Sequence, residues 1–482
     1  MDLAEYARLD AVALADLVAA RETTGAELAE LALAAAARVQ PVLNAVVETW
    51  PGAGATSDRG PPARLRGVPV LIKDLFHGAV GRVCENGSRL TAGWIAPTEA
   101  ALTQRLRRAG LVTVGRTTTS EFGILGSTET LACGPTCSPW SAERIAGGSS
   151  GGAAASVGAG IVPIATASDG GGSIRIPASA CGTVGLKPSR GRVTWGPGGG
   201  DPLLGWAVRF VCTRSVRDTA AALDVLSGPL PGDPSIAPPP LRPFAAEVGA
   251  DPGRLRVAVS RRGWSGRPVH AEVAAACDAT AGVLTELGHD VQEADPGLEW
   301  EPFLDAMTAI WSADTAHTID AIAAATGRMP GPDMLEGPTL AMLEHGRAVT
   351  AQQLLNAQDT VNAVSRRMGA FFACHDVLLT PTLGSLPWRL GVYQPHAPLA
   401  PRELFDTWSE LECFLPAFNA TGQPAISLPL HQSSDGLPIG MQLVGGFGDE
   451  AGLLRVSAQL EAALPWADRL PPIHAGADLA GV

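Results

Sequence analysis

Three short segments carry side chains whose types and spacing suit acyl-transfer chemistry. The first runs Val68-Pro69-Val70-Leu71-Ile72-Lys73-Asp74. A lysine that closes a run of five apolar residues is costly to bury as a cation. Its pKa should fall toward a value useful to a general base. A plainer reading leaves Lys73 at the mouth of the strand, with a solvated head or with Asp74 as its partner. The second segment is Gly147-Gly148-Ser149-Ser150-Gly151-Gly152, followed by the small residues 153–157. Glycines let a backbone approach a ligand closely. The third is Asp169-Gly170-Gly171-Gly172-Ser173-Ile174-Arg175-Ile176-Pro177. Consecutive glycines before a serine can aim several backbone N–H groups into one concavity, as in an anion nest or oxyanion hole. A flexible turn has the same composition. Phosphate binding is a further use of such loops, but neither segment contains the Gly-x4-Gly-Lys-Ser/Thr pattern.

Gly147-x-Ser149-x-Gly151 also fits the nucleophile-elbow pattern of α/β-hydrolases. That arrangement needs an acidic residue and a later histidine, and His289, His317, His345, His375, His396 and His431 are all available. It leaves Lys73 and the Gly170–Ser173 loop without a task. Cys133 and Cys137 form a lone Cys-x3-Cys with no second ligand pair nearby, so ordinary thiols are expected there and no metal.

Composition narrows the class. The chain has 482 residues, 46% hydrophobic and 17% charged, enough for a large core. Aromatics are only 5%, so Ala, Val, Leu and Ile should build most of the interior. The net charge of −13 argues against a nucleic-acid partner, which would call for a basic patch. The start, Met1-Asp2-Leu3-Ala4-Glu5, lacks the basic and apolar pattern of a signal peptide, and no apolar stretch is long enough to span a membrane. A cytoplasmic protein with free thiols is therefore expected. Of the 35 basic residues only Lys73 and Lys187 are lysine. Arg stays protonated whereas a buried Lys can lose its proton, so a site that needs a neutral amine has two candidates.

These residues need elements to hold them. Apolar residues at helical spacing predict two helices within 8–40, the second capped by Thr24 with Glu27 three residues on. Residues 51–66 read as a loop. Strands are expected at 68–72, 111–115, 161–167, around Val291, and at 377–379, 425–428 and 440–444. Helices are expected at 98–109, 213–227, 271–287 and 449–463. Residues 228–253 read as a Pro-rich connection, and 300–375 as a mostly helical lobe. The strand–helix–strand rhythm predicts an α/β fold in one domain, with a catalytic core at about 65–230 and the helical lobe at about 295–375.

In order and in register, the chain resembles the amidase-signature family. The resemblance rests on PVLIKDLF at 69–76, AGGSSGGAAA at 146–155, SDGGGSIRIPASACGTVGLKP at 168–188, FNATGQPAISLPL at 418–430 and DGLPIGMQLVG at 435–445. The 24-residue spacing from Ser149 to Ser173 is also the family's. The resemblance implies a large mixed, twisted β-sheet covered by helices on both faces. It implies a Ser-cisSer-Lys triad: Ser173 as nucleophile, Ser149 as bridging serine on a cis peptide, Lys73 as base. Backbone N–H groups of Gly170, Gly171, Gly172 and Ser173 would form the oxyanion hole, with Asp169 and Arg175 fixing the loop. No metal or organic cofactor is implied, and Lys187 is expected to be structural. Family position suggests a pocket wall from Ile124, Leu125, Trp140 and Ile176. Gly170 stands where many relatives have a larger residue, which would open space beside the nucleophile or loosen the loop.

Within the family, RIPAS at 175–179, LGHDV at 287–291, SSDGLPIG at 433–440 and QLEAALPW at 459–466 are similar to the 6-aminohexanoate cyclic-dimer hydrolases and related aryl acylamidases and urethanases. The implied substrate is a small neutral amide, anilide or carbamate, with no membrane or nucleic-acid partner, and a homodimer is compatible with it. The alternative is the glutaminase subunit of a tRNA amidotransferase. Those proteins usually carry Gln where this chain has Ile176.

Overall fold

The computed structural model describes residues 1–52 and 64–479; most of the loop expected at 51–66 lies outside them. Eleven strands form one sheet: β1 Val46–Thr49, β2 Pro69–Lys73, β3 Val112–Thr117, β4 Ile164–Asp169, β5 Val184–Lys187, β6 Val208–Thr213, β7 Arg256–Val259, β8 Asp290–Glu293, β9 Val377–Pro381, β10 Ala425–Gln432 and β11 Pro438–Gly445. Their order is β1-β3-β2-β4-β6-β5-β10-β11-β9-β7-β8. The sheet is mixed. β2 runs parallel to β3 and β4, and β7 parallel to β8 and β9, while the strands between them pair antiparallel.

Alternation along the strands puts an apolar surface on both faces. Val257 and Val259, Val377 and Leu379, and Ile426 and Leu428 belong to one buried core, whereas Ala258, Leu378 and Ala425 belong to a second. Helices cover each. The first core takes α1 Ala11–Ala19, α2 Gly25–Leu43, α3 Ala101–Arg108, α4 Gly151–Gly158, α6 Val216–Leu226, α7 Ala271–Glu286 and α13 Glu450–Ala463. Between α4 and α6 lies α5, Arg175–Cys181. The second core takes α8 Trp300–Thr326, α10 Ala351–Cys374, α11 Pro401–Glu412 and α12 Pro416–Thr421, with α9 Gly337–Ala348 packed on α8. The first is aliphatic, as the composition demanded. The few aromatics gather in the second, where Trp206 stacks on Phe303 with ring centroids 5.6 Å apart. No helix among the described residues is long and apolar enough to cross a membrane.

Local signals explain several boundaries. Thr24 and Glu27 cap α2 reciprocally. The strand expected at 161–167 begins instead at Ile164, after Pro163, which has no N–H for the ladder. It continues through Ser168 to Asp169, so the glycine loop starts where the strand stops. β3 likewise runs on to Thr117. Its Arg116 is buried because Asp74, Glu48 and Glu85 all pair with it. All eight cysteines are free thiols.

Candidate active site

Parallel strands end on the same edge of a sheet, and ligands gather at such edges. β2 ends in Lys73 and its parallel neighbour β4 ends in Asp169, immediately before Gly170–Ser173. Two distant stretches of sequence are thereby placed side by side. The Lys73 N–H donates to Thr166 Oγ1 at 2.8 Å, tying the two strand ends together.

Lys73 is 1% exposed. Its Nζ lies 2.7 Å from Ser149 Oγ, 2.9 Å from Ser150 Oγ and 2.9 Å from Ser168 Oγ. No carboxylate touches it; burial lowers its pKa to about 7, against a weak opposing pull from groups such as Asp169. Near neutral pH much of it is therefore free amine, with two N–H donors and one lone pair. Three hydroxyls surround it, so one must donate to the lone pair. The Ser150 hydroxyl is directed at the Ser168 carbonyl, 3.2 Å away. Ser149 and Ser168 remain as proton sources. The Gly148–Ser149 peptide is cis.

Ser173 sits on the loop between β4 and α5, 7% exposed. Its carbonyl accepts from the Ser150 N–H at 3.3 Å, so the two serine segments are pinned together. Its hydroxyl hydrogen-bonds to no described residue, including Ser149, although both serines face one cavity. Asp169 fixes the loop. One of its oxygens accepts from the Gly172 N–H at 2.7 Å and the other from the Ile174 N–H at 3.2 Å. Arg175 grips the same carboxylate from Nε and from a terminal nitrogen, each at 2.9 Å. Burial alone would raise the Asp169 pKa, but the Arg175 charge holds it at about 2. Gly172 has φ +138°, and a Cβ there would meet Leu415 Cδ1 at 2.7 Å, so only glycine fits.

This arrangement corrects the expected oxyanion hole in one respect. The Gly172 N–H is spent on Asp169 and cannot also point at a substrate. The N–H groups of Gly170, Gly171 and Ser173 donate to no described residue and remain available.

The cavity has a volume of about 610 Å³. Ser149, Ser168, Asp169, Gly170 and Ser173 form part of its wall, with Leu75, Phe76, Trp195, Leu203 and Trp311 among its apolar lining. Of the four residues expected as wall, Ile124 lines it. Leu125 and Ile176 lie behind the wall, in the second core. Trp140 is elsewhere: its indole N–H donates to the Cys181 carbonyl at 2.9 Å, beside Gly182. Gly170 opens no space, because its missing side chain is replaced by Leu203 and Trp311, at 2.8 and 3.1 Å from where a Cβ would stand.

Several groups that shape the site were not singled out from sequence. Asn419 Nδ2 donates to the Asp169 carboxylate at 2.8 Å, and Gln442 Oε1 accepts from Arg175 at 2.8 Å. Both lie inside resemblance segments, which was the available signal. Trp311 and Asp314 come from α8, where sequence offered none. The elbow alternative fails on contact: Ser149 bonds Lys73, while His289, His375 and His431 bond Gln459, Gln292 and Thr280, and His317, which does line the cavity, hydrogen-bonds to neither Ser149 nor Ser173. Lys187 is buried away from the cavity with Nζ on the Pro188 carbonyl at 3.0 Å.

Comparison with known proteins agrees with this geometry. The model of the amidase family matches residues 27–454. The 6-aminohexanoate-cyclic-dimer hydrolase of Paenarthrobacter ureafaciens is 38% identical over 475 residues, covering 96% of this chain and 96% of that protein. A solved structure of a 6-aminohexanoate cyclic dimer hydrolase complexed with substrate superposes with a TM-score of 0.93 at 37% identity, covering 98% of this chain and 100% of that one. A bacterial aryl acylamidase of the amidase signature family gives 0.86 at 27% identity, covering 95% and 97%.

Proposed function

This chain belongs to the amidase signature family, and on that premise we propose that it hydrolyses the C–N bond of small amides, anilides or carbamates through an acyl-enzyme on Ser173. It is a hydrolase of non-peptide C–N bonds. The reading is carried by one observation: a buried lysine of pKa about 7, hydrogen-bonded at 2.7 Å to a serine that shares a cavity with a second serine on a glycine loop.

The steps follow from those positions. The Ser173 hydroxyl turns toward Ser149. Neutral Lys73 takes the Ser149 proton, Ser149 takes that of Ser173, and Ser173 Oγ attacks the substrate carbonyl carbon. Negative charge moves to the carbonyl oxygen, facing the N–H groups of Gly170, Gly171 and Ser173. Ser149 then returns a proton to the substrate nitrogen, the C–N bond breaks, and the amine leaves. Water, deprotonated by the same relay, cleaves the acyl–Ser173 ester. A carbamate would react alike, releasing amine, then alcohol and carbon dioxide. Asp169 and Arg175 act through the loop rather than on substrate.

The substrate class is supported by the apolar cavity wall and by likeness to relatives named for a cyclic amide and for aryl amides. The glutaminase-subunit alternative is not favoured. The test is hydrolysis of an aryl amide and its matched aryl carbamate by wild type, Ser173→Ala and Lys73→Ala, with labelling by a fluorophosphonate. Turnover by the wild type alone and mass-spectrometric label on Ser173 support the reading. Near-normal turnover by either variant sinks it.

A further inference from the structure

The face that α8 turns to the cavity contains more than a wall. Trp311, Asp314, Thr315, Thr318, Ile319 and Ile322 all line it. Their spacing of three and four residues is one helical stripe. Trp311 fixes the stripe relative to the reacting loop, because its ring lies 3.1 Å from the Cβ position of Gly170 and 3.5 Å from that of Gly171. One turn along, about 4.5 Å by the rise of a helix, stands Asp314.

Asp314 is half-buried, and its Oδ1 accepts from the Leu203 N–H at 2.9 Å. Its second oxygen accepts from no described residue, and no Lys or Arg pairs with it. Three other charged groups on the wall are committed. Asp169 is held by Arg175, and Asp201 accepts from the Ser235 hydroxyl. Arg209 lies 3.9 Å from the Trp195 ring centroid and donates to the Phe76 carbonyl at 2.7 Å. His317, one turn further, is exposed and also lines the cavity, where it interacts electrostatically with Asp314 without a hydrogen bond between them. A carboxylate anchored on one side, with its second oxygen open to the cavity, can take a further cationic donor. Burial raises its pKa above the ordinary value, against the opposing pull of the Leu203 N–H and His317.

We propose that Asp314 is a specificity-determining residue that receives a substrate ammonium group, a short alkyl chain away from the scissile amide. The inference rests on the hydrolase reading above and names a substrate class for it: amides of ω-amino acids or of diamines. The scissile group itself stays uncharged.

The test compares isosteres, with –NH3⁺ exchanged for –CH3. One pair carries the change on the acyl side, 6-aminohexanoyl against heptanoyl 4-nitroanilide. The other carries it on the amine side, the benzoyl monoamide of 1,6-diaminohexane against N-heptylbenzamide. Wild type, Asp314→Asn and Asp314→Lys are each measured on both members, so the kcat/KM ratio is independent of how much protein is folded. The wild type should prefer the ammonium member of at least one pair by about tenfold or more, the scale of a charged hydrogen bond. Asp314→Asn should bring that ratio near one and Asp314→Lys below one. A wild-type ratio near one in both pairs, or a preference that Asp314→Asn retains, overturns the inference while leaving the hydrolase reading intact. Failure of the wild type on all four compounds overturns both.

Discussion

The base assignment makes a quantitative demand on pH. A free lysine amine titrates at 10.5, and burial brings Lys73 to about 7. The difference, 10.5 − 7, is 3.5 units, or about 5 kcal/mol of preference for the neutral form. Lys73 is 1% exposed, so little solvent screening reduces that figure. At pH 7 an unperturbed lysine would be neutral in roughly one molecule in 3,000, whereas burial makes the neutral form of Lys73 a substantial fraction. With an aryl amide reporter, kcat/KM should rise with unit slope up to about pH 7 and level off above pH 8. Lys73→Arg, which keeps the cation and cannot deprotonate, should lose about 10³-fold or more at every pH below 9. The same shift fixes a stability trend. Folding excludes a proton that the unfolded chain holds up to about pH 10.5, so the cost is fully present below pH 7 and fades as pH rises from 7 to 10.5. Lys73→Met should therefore be inactive yet melt higher than wild type at pH 6. A rate limb breaking near pH 10, or substantial activity in Lys73→Arg, would refute the argument.

Three further outcomes follow from the packing around the site. Gly170→Ala should cut kcat/KM about tenfold, since its Cβ would stand 2.8 Å from Leu203 Cδ1, and adding Leu203→Ala should recover part of the loss. A double-mutant cycle should show coupling of about 1 kcal/mol or more, and simple additivity would count against it. Asp169→Asn leaves the Arg175 charge buried at 0% exposure, so urea unfolding should show a loss of about 3–5 kcal/mol; a loss below about 1 kcal/mol would mean the loop is anchored otherwise. Glu336 is buried beside Glu121, and burial together with that like charge holds its pKa well above the usual 4.5. The folded state then binds more protons than the unfolded one, so stability falls as pH rises above about 4.5. Glu336→Gln should flatten that slope in melting scans at pH 5 and 8, and an unchanged slope would contradict the placement of this pair.

Helices with clean periodicity were legible from sequence, whereas two strands carrying a buried charge were not. The helices at 271–286 and 450–463 fall within a residue of expectation. Strands β5 and β6 were missed because Lys187 and Arg209 interrupt apolar runs that look exposed at those points. In the fold Arg209 is stacked on Trp195 and Lys187 is capped by the Pro188 carbonyl, partners supplied by turns the pattern does not reveal. The site divides the same way. The reacting segments are contiguous, and their glycines and serines state the chemistry locally. The wall is assembled from elements far apart in the chain. Trp311 and Asp314 read as ordinary positions of a long amphipathic helix until α8 is laid across the glycine loop. Trp140, near the motifs in sequence, is separated from the cavity because Gly182 offers its ring a berth beyond α5.

The two lysines show how far a residue-type argument reaches. In a chain that otherwise uses arginine, both survivors are almost fully buried, and burial brings both to about 7. Burial thus favours a neutral amine at both surviving lysines, and it marks Lys187 as surely as Lys73. What separates them is the nature of the partner. A carbonyl such as that of Pro188 can only accept, so an amine resting on it has no proton to take. Ser149 carries an exchangeable proton, lies 2.7 Å from Lys73 and faces the cavity where Ser173 waits. A lowered pKa becomes a base only where a hydroxyl stands between it and a carbonyl carbon, and that is a property of the sheet edge joining β2 to β4, not of the lysine. Lys187→Met should therefore keep its turnover, with an unshifted pH–rate limb, under conditions in which Lys73→Met has none; loss of that limb in Lys187→Met would place the titrating base at the wrong strand.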